Sequence, residues 1–267
     1  MILNIFDFLR DLLFDKNDDG YLVTKPIVKI VLGLFLLAII VLLIILAIKK
    51  EQKLSNNEKI RRITFVSILS GLSIVLYMLK INLPIFLSFL DIQFSNVPAL
   101  IGGFLFGPLS GAIIVLIRTL VKLPMTGTGG VGELADLIIG LVVVIVSSLI
   151  YHKEKTKKNA IKALIYASLS WVFIATFTNW LFIADFYVYT MFDGNEGVIV
   201  GALNSLPGVT FVTVDNYMLY YILIGIIPFN LVLSSMVSLV TFLVYKRVSN
   251  LFEMFGKGKP EVIKKTN

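Results

Sequence analysis

Glu133 and Asp136 lie three positions apart at the start of an apolar run. In a helix this spacing places both carboxylates on one face. Two asparagines, Asn179 and Asn230, also occur within long apolar stretches. Such side chains supply hydrogen-bond partners to an amphipathic ligand in a largely apolar pocket. Each also has a structural interpretation, as a charge at a helix N-terminus or as an interhelical hydrogen bond.

A glycine-rich segment, residues 124–132, directly precedes Glu133. Its glycines, including Gly127 and Gly129, let the backbone approach a ligand closely, although a tight connection between helices explains them nearly as well. Tyr187 belongs to a group of aromatic residues after Asp185. Its ring can stack on a planar ligand or form part of an interfacial aromatic belt.

The residue types needed for hydrolytic chemistry are scarce in this sequence. There is one histidine, His152, and no cysteine, which argues against a histidine-based triad, a metal site and a disulfide. The phosphate-binding pattern G-x-x-x-x-G-K-[ST] does not occur. We therefore predict a protein that is not an enzyme and has no catalytic residues, metal ligands or intrinsic cofactor. A membrane enzyme, or a purely structural membrane protein, is the alternative.

Long apolar runs must position these residues. The chain is 57% hydrophobic and only 15% charged, with a mean hydropathy of +0.91, which is typical of a multi-pass protein of the cell membrane. The net charge is +7, and the basic residues lie mostly between the apolar runs. They therefore indicate orientation in the membrane and not nucleic-acid binding. We predict membrane helices at residues 26–48, 63–80, 97–107, 108–123, 133–151, 160–184 and about 226–246.

The basic segments between these runs set the predicted topology. Residues 49–62, residues 152–162 and the tail from Lys246 are rich in lysine and arginine, which places them in the cytoplasm. This orientation requires a break at Gly107-Pro108, because proline removes a helix hydrogen bond. Residues 81–96, 124–132 and 185–217 then lie outside.

The predicted fold is all-α, with a six-helix core and one extra N-terminal transmembrane helix. Residues 1–50 hold an amphipathic segment and the extra helix, 51–62 a basic cytoplasmic linker, 63–250 the core and 251–267 a basic cytoplasmic tail. The last core helix is predicted to begin at Pro228, which brings Asn230 and Leu233 to the outer level.

The first 25 residues have the pattern of an amphipathic helix along the outer interface. Asp15, Asn17 and Asp19 match the first ligand positions of a calcium loop. Pro26 stands where that loop needs a bidentate glutamate, so a polar turn is the favoured interpretation.

Small residues form a separate pattern on the helix predicted at 63–80. Ser67, Ser70 and Gly71 allow another helix to approach closely, either within the fold or as an external docking surface. Gly103, Gly107 and Gly111 repeat the four-residue spacing, and here internal packing is favoured.

Three segments carry recognisable motifs: Asn96 to Gly111 (NVPALIGGFLFGPLSG), Gly127 to Ala135 (GTGGVGELA) and Pro228 to Leu231 (PFNL). Together they resemble the riboflavin-specific substrate-binding (S) components of energy-coupling factor (ECF) transporters. The resemblance covers residues 60–250 approximately. It implies a six-helix fold, riboflavin as the bound ligand, and an outward site closed by the loop at 81–96.

The resemblance also implies partners. Such proteins dock through small residues on the first core helix, here Ser67 and Gly71 in place of the usual alanines. The implied partners are a transmembrane coupling subunit and two ATPase subunits, and the S component is thought to topple to carry its ligand inward.

This sequence departs from the family pattern in its ligand positions. Leu233 stands where a lysine is usual, and Gln93, Asn96 and Asp136 stand where aspartate, aspartate and asparagine are more common. A different vitamin-like ligand is therefore an alternative to riboflavin. The candidate ligand-binding residues are Asn179, Asn230, Leu233, Glu133, Asp136, Gln93, Asn96, Gly127, Gly129 and Tyr187.

Overall fold

The computed structural model describes residues 14–16, 22–51 and 55–256. Eight helices follow a short hairpin of two antiparallel strands, β1 and β2, over this part of the chain. The first elements are β1 (Phe14–Lys16), β2 (Leu22–Thr24), α1 (Pro26–Lys49), α2 (Asn56–Met78), β3 (Ile81–Asn82), β4 (Asp91–Ile92), α3 (Asn96–Phe106), α4 (Pro108–Lys122) and α5 (Val131–Tyr151).

Two of the remaining three helices contain wider π-helical turns. Helix α6 runs through Lys157–Thr178, Asn179–Ile183, Ala184–Phe186 and Tyr187–Met191, of which the second and fourth segments are π-helical. Helix α7 is Gly197–Asn204. Helix α8 runs through Tyr217–Tyr220, the π-helical Tyr221–Ile226, and Ile227–Gly256.

Six described helices are long and apolar enough to cross a membrane, and α3 is a shorter apolar helix of 11 residues. At about 1.5 Å per residue, α3 covers roughly half of a bilayer core. The predicted break separates it from α4: Gly107 has φ 99°, and Pro108 begins the next helix. Glycine adopts this left-handed backbone without the strain that a side chain would cause.

Helix α3 lies at the centre of the core, and every residue from Asn96 to Phe104 is buried. It contacts α2, α4, α5 and α8. Close packing depends on glycine, because a Cβ on Gly111 would lie 2.2 Å from Cγ1 of Val144 and 2.8 Å from the carbonyl oxygen of Ala99. The internal-packing interpretation of this glycine is therefore confirmed.

The two ends of the bundle differ in charge. We call the end that carries Lys50, Arg62 and Lys153 the basic end, and the end that carries residues 79–95 and 192–216 the loop end. An ion pair between Lys29 and Asp185 joins the start of α1 to α6 near the loop end. Helix α1 packs mainly on α5, through a face that includes the buried Leu36, Ile40 and Ala47.

The predicted start of the last helix at Pro228 is wrong. Helix α8 begins at Tyr217, and Pro228 lies inside it, just after the π-helical turn Tyr221–Ile226. A proline ring clashes with the carbonyl four residues earlier, and a wider turn at that point removes the conflict. Helix α6 likewise continues to Met191, so the connection predicted at 185–217 is shortened to residues 192–216 and contains α7.

The amphipathic helix predicted over the first 25 residues is also wrong where the structure describes them. Phe14 pairs with Thr24 and Lys16 with Leu22 in an antiparallel hairpin. Asp15 is part of β1. Residues 1–13 and 17–21, with the calcium-loop positions Asn17 and Asp19, lie outside the described residues.

Candidate ligand-binding site

The loop between α2 and α3, residues 79–95, closes over the loop end of the bundle. A short antiparallel pairing of β3 with β4 shapes it, with Ile81 opposite Ile92. The Leu87 side chain is 1% exposed, and a Cβ on Gly225 would lie 2.7 Å from its Cδ1 atom. The missing side chain of Gly225 thus makes room for Leu87. We call residues 79–95 the lid.

Aromatic side chains lie beneath the lid. The lid residue Phe89 contacts Tyr187 of α6 at 6.0 Å and Tyr221 of α8 at 6.4 Å between ring centroids. Phe86, also from the lid, meets the ring of Phe229 edge-on at 5.3 Å. These contacts form an apolar, flat-walled region between α6, α8 and the lid.

Asn179 lies at the edge of this aromatic region. Its Oδ1 accepts a hydrogen bond of 2.7 Å from the hydroxyl of Tyr221, and its Nδ2 donates to the carbonyl of Ala175 at 2.8 Å. The side chain is half-buried. Together with Tyr187 and Tyr221 it offers both flat apolar faces and amide hydrogen-bonding groups, which are the features that recognise a polar heterocycle.

Asn230 connects α6 and α8 deeper in the bundle. Its Oδ1 accepts a 3.0 Å hydrogen bond from the indole of Trp171, and its Nδ2 donates to the carbonyl of Ile226 at 2.9 Å. Leu233, one turn further along α8, is 4% exposed and belongs to the main apolar core. Both residues therefore pack inside the bundle with the lid closed.

A second polar group surrounds Asp136. This carboxylate accepts hydrogen bonds from the hydroxyl of Tyr77 and from Nε2 of Gln93, the latter at 2.9 Å. Gln93 in turn accepts a 2.8 Å hydrogen bond from Ser95. The cluster joins α2, α5 and the end of the lid, and it brings two of the candidate residues, Gln93 and Asp136, into contact.

Arg118 of α4 completes this cluster and was missed from the sequence. It is 0% exposed, its Nη1 donates to Ser95 at 2.8 Å, and its guanidinium lies 5.6 Å from the centre of the Tyr77 ring. Asp136 is close enough to interact with its charge. A lone arginine in an apolar run is itself a signal of function or of a buried partner.

Asn96 lies next to Arg118 at the start of α3. Its Oδ1 atom, and the Nε and Nη2 atoms of Arg118, are buried and have no hydrogen-bond partner among the described residues. A Cβ on Gly140 would lie 2.8 Å from Nη2 of Arg118 and 3.2 Å from Oδ1 of Asn96. Glycine at this position thus leaves room for both polar groups.

Glu133 is held by the glycine-rich segment. Its Oε2 accepts hydrogen bonds from the hydroxyls of Thr126 at 2.6 Å and Thr128 at 3.0 Å, and the residue is 5% exposed. Gly129, at φ 61°, approaches Phe186, whose Cζ atom would lie 3.3 Å from an added Cβ. Gly127 has open space around it. These hydrogen bonds therefore connect the glycine-rich segment to the start of α5.

The small residues of α2 divide between two faces. Ser67 and Gly71 are exposed, and no atom lies within 4 Å of a Cβ placed on Gly71. Ser70 is 3% exposed and donates to the carbonyl of Val66, so it does not belong to the exposed face predicted for it. Ser70 directly precedes Gly71, and one residue along a helix turns the side chain by about 100°, here towards the core.

No group of three or more histidine, aspartate or glutamate side chains suited to a metal ion occurs among the described residues. The candidate residues instead form three neighbouring groups at the loop end. Asn179 and Tyr187 lie beneath the lid, Gln93, Asn96 and Asp136 surround Arg118, and Glu133 holds the glycine-rich segment. Asn230 and Leu233 lie further inside.

Several known proteins have sequences similar to this one. Residues 61–245 match the family model described as "ECF transporter, substrate-specific component". The riboflavin transporter RibU of Staphylococcus aureus (strain TCH60) is 26% identical over 198 residues, which are 74% of this chain and 95% of RibU. The riboflavin transporter FmnP of Bacillus subtilis (strain 168) is 23% identical over 198 residues, which are 73% of this chain and 95% of FmnP.

A solved structure of the S component of a bacterial ECF transporter also matches, with a TM-score of 0.53 and 26% identity over 73% of this chain and 99% of that one. The residues matched by the family model, 61–245, include most of the core helices, the lid and all three groups of candidate residues. Helix α1 precedes them. The chain therefore belongs to the substrate-specific components of ECF transporters, and it is a multi-pass protein of the cell membrane.

Proposed function

We propose that this S component binds riboflavin, or a closely related flavin, at the loop end beneath the lid. The observation that carries the proposal is the aromatic region formed by Phe89, Tyr187 and Tyr221, with the Asn179 amide at its edge. A flavin ring is planar and carries hydrogen-bonding groups on its rim. Such a ring would take the place of the Phe89 side chain between the two tyrosines, beneath the lid. Two relatives named as riboflavin transporters support the same ligand.

Leu233 is the main argument for the alternative, a different vitamin-like ligand. A lysine at this position, usual in the family, would give a charge-assisted hydrogen bond worth about 1.5–3 kcal/mol. Its loss corresponds to roughly ten- to hundredfold weaker binding if no other group compensates. Arg118 and Asp136 are candidates to replace the missing lysine contact, because their charged groups lie together in the polar cluster at the loop end.

The bound molecule itself tests this proposal. The protein is purified in detergent from riboflavin-containing cells, the ligand is extracted, and it is identified by absorbance and mass spectrometry. We expect a yellow preparation that releases riboflavin. The two tryptophans give a second measurement, since Trp171 bonds to Asn230 and Trp180 follows Asn179. Added riboflavin should quench their fluorescence. A colourless protein that shows no quenching at micromolar concentration would exclude the flavin and favour another ligand.

Transport also requires a source of energy from outside this chain. We propose that Ser67 and Gly71 form the face of α2 that docks onto a transmembrane coupling subunit associated with two ATPase subunits. Their exposure and the open space at Gly71 support close approach by another helix. Reconstitution tests this directly: the purified chain alone should bind riboflavin in liposomes but show no ATP-dependent uptake.

A further inference from the structure

A cavity of about 770 Å³ lies at the basic end, remote from the lid. Its walls come from the end of α1, the start of α2, the α3–α4 junction and the end of α5. This volume is within the range of roughly 300–1,000 Å³ that small-molecule sites occupy. The riboflavin proposal does not use this cavity.

One part of the cavity wall is apolar. The apolar residues there are Leu46, Leu105, Phe106, Val146, Leu149 and Ile150. Most of them lie within about two turns of a helix end, and basic residues of the cavity directly follow the ends of α1 and α5. In a membrane this is the depth at which acyl chains meet the headgroups.

The other part of the wall is strongly cationic. Lysines and arginines contribute five of the lining residues, against one acidic residue, Glu58; the five are Lys50, Arg61, Arg62, Lys153 and Lys155. The carboxylate of Glu58 is engaged by the backbone amide and hydroxyl of Ser55, at 2.9 and 2.8 Å. Glu58 therefore caps its own helix, and even with its negative charge counted the five basic residues leave the cavity wall with an excess of positive charge.

Arg62 is held rigidly in this wall. Its Nε donates to Ser110 of α4 at 2.7 Å, and its Nη1 donates to Glu51 at the end of α1. These contacts tie α1, α2 and α4 together around the cavity. Lys50, Lys153 and Lys155 are exposed at its rim. Because Glu51 offsets the charge of Arg62, the three lysines supply most of the positive charge available to a phosphate.

We propose that this cavity binds an anionic phospholipid from the leaflet at the basic end. Its headgroup phosphate would lie among Lys50, Lys153 and Lys155, and one acyl chain would lie along the apolar wall. A soluble anion would leave that wall unfilled, whereas a lipid satisfies both parts at the depth where a membrane presents them. Basic pockets between membrane helices are a known form of anionic-lipid site.

The proposal gives α1 a role. Leu46 belongs to α1, and Lys50 directly follows this helix. Both lie outside the residues that the family model matches. Few residues of α1 are buried against the core: Leu36, Ile40 and Ala47. A lipid between α1 and α5 would add contacts to this sparsely packed interface.

The test compares lipids on the full-length purified protein. Native mass spectrometry measures how much phosphatidylglycerol the protein retains relative to phosphatidylcholine. The variant Lys50→Gln/Lys153→Gln/Lys155→Gln removes the cationic rim. The matched control Lys59→Gln/Lys158→Gln/Lys162→Gln removes three exposed charges at the same end that do not line the cavity.

A lysine whose ammonium group lies beside the bound headgroup should contribute about fivefold to anionic-lipid affinity, the value for a basic residue at an anionic membrane surface. We therefore expect the rim variant to lose its preference for phosphatidylglycerol by about tenfold or more, after allowance for screening by salt. The control variant should stay within about twofold of the unmodified protein. Equal losses in the two variants, or none in either, would overturn the proposal.

Two further measurements distinguish a lipid from a soluble phosphate. Leu46→Trp fills the apolar side without changing the charge and should also reduce phosphatidylglycerol retention; unchanged retention would contradict an acyl chain in the cavity. Glycerol 3-phosphate should not displace the lipid at millimolar concentration, and displacement would assign the cavity to soluble phosphates. Riboflavin binding should persist in all variants, so failure of the flavin proposal and failure of the lipid proposal give different results.

Discussion

At the residue scale, the loop end depends on a charge buried on α4. Arg118 is fully buried, bonds to Ser95 and lies within electrostatic reach of Asp136. The carboxylate also accepts hydrogen bonds from Tyr77 and Gln93. Removal of one member of a buried charge pair leaves the other uncompensated, which costs far more than replacing both.

Replacing Arg118 should therefore destabilise the protein, and a second change should repair part of the damage. We expect Arg118→Met to lower the free energy of unfolding by about 3–5 kcal/mol, and Arg118→Met/Asp136→Asn to recover a substantial part of that loss. Thermal unfolding of the purified protein in detergent measures both. An Arg118→Met protein as stable as the original would show that Asp136 needs no cation.

A second prediction at this scale concerns Asn179. If its amide contacts the flavin, Asn179→Ala should weaken riboflavin binding by about 1–3 kcal/mol, measured by tryptophan quenching. Tyr221→Phe, which keeps the ring and removes the hydroxyl bonded to Asn179, should have a smaller effect. Asn216→Ala changes an asparagine elsewhere at the loop end and serves as the control. Equal affinity in the Asn179 and Asn216 variants would remove Asn179 from the site.

At the scale of the elements, the lid and the π-helical turns fit together. Leu87 occupies the space left by Gly225, which lies within the π-helical segment Tyr221–Ile226 of α8. The same turn precedes Pro228 and presents Tyr221 to Phe89 and Asn179. Single π turns inside α-helices often occur at functional sites. Here the turn positions Gly225 against Leu87 of the lid and Tyr221 in the proposed flavin site.

Filling the space at Gly225 should hold the lid open. A Cβ there would lie 2.7 Å from Cδ1 of Leu87, so Gly225→Val must displace that side chain. We expect riboflavin to dissociate about tenfold faster or more, since the lid contact is worth at least the burial of one leucine. Stopped-flow fluorescence measures the release. Gly201→Val, where no atom lies within 4 Å of the added Cβ, is the matched control. Identical release rates would mean that the lid does not retain the ligand.

The exposed face of α2 supports a separate prediction about docking. Gly71→Leu adds a bulky side chain where another helix would approach, so ECF-dependent riboflavin uptake should be abolished while binding to the isolated protein is unchanged. Ala38→Leu, at an exposed position on α1 outside the matched region, should leave both intact. Normal uptake by Gly71→Leu vesicles would place the coupling surface elsewhere.

At the scale of the whole molecule, the basic residues and the long loops lie at opposite ends of the helix bundle. The basic end gathers Lys50, Arg62 and Lys153, while the lid and residues 192–216 lie at the other end. The ion pair of Lys29 with Asp185 places the start of α1 at the loop end as well. The positive-inside rule assigns the basic end to the cytoplasm. The proposed flavin site then faces outward and the proposed lipid site faces the inner leaflet.

Single cysteines test this orientation in a chain that has none of its own. Ser205→Cys lies just after α7 at the loop end, and Lys155→Cys lies between α5 and α6 at the basic end. In intact cells a membrane-impermeant maleimide should label Ser205→Cys. Lys155→Cys should react only after permeabilisation. The reverse pattern would invert the topology and, with it, the direction from which the ligand enters.

The sequence by itself determined the membrane helices, the break at Gly107-Pro108 and the family. These follow from local requirements: a helix crossing a bilayer must be apolar along its length, and the Gly107-Pro108 pair within an apolar run favours a break between two helices. The sequence also indicated Asn179, Gln93 and Asp136 as polar residues within or beside apolar runs. The roles proposed for them with a ligand stay predictions.

Only the tertiary structure decided how distant segments meet. The burial of Ser70, the position of Leu87 against Gly225 and the placement of Arg118 beside Asp136 each depend on contacts between segments far apart in sequence. Hydrophobic periodicity reports that a residue is apolar or polar and which residues share its face, but not which neighbour fills the space opposite it. That choice is made by close packing, and so the lid, the buried arginine and the cavity at the basic end emerged only from the folded chain.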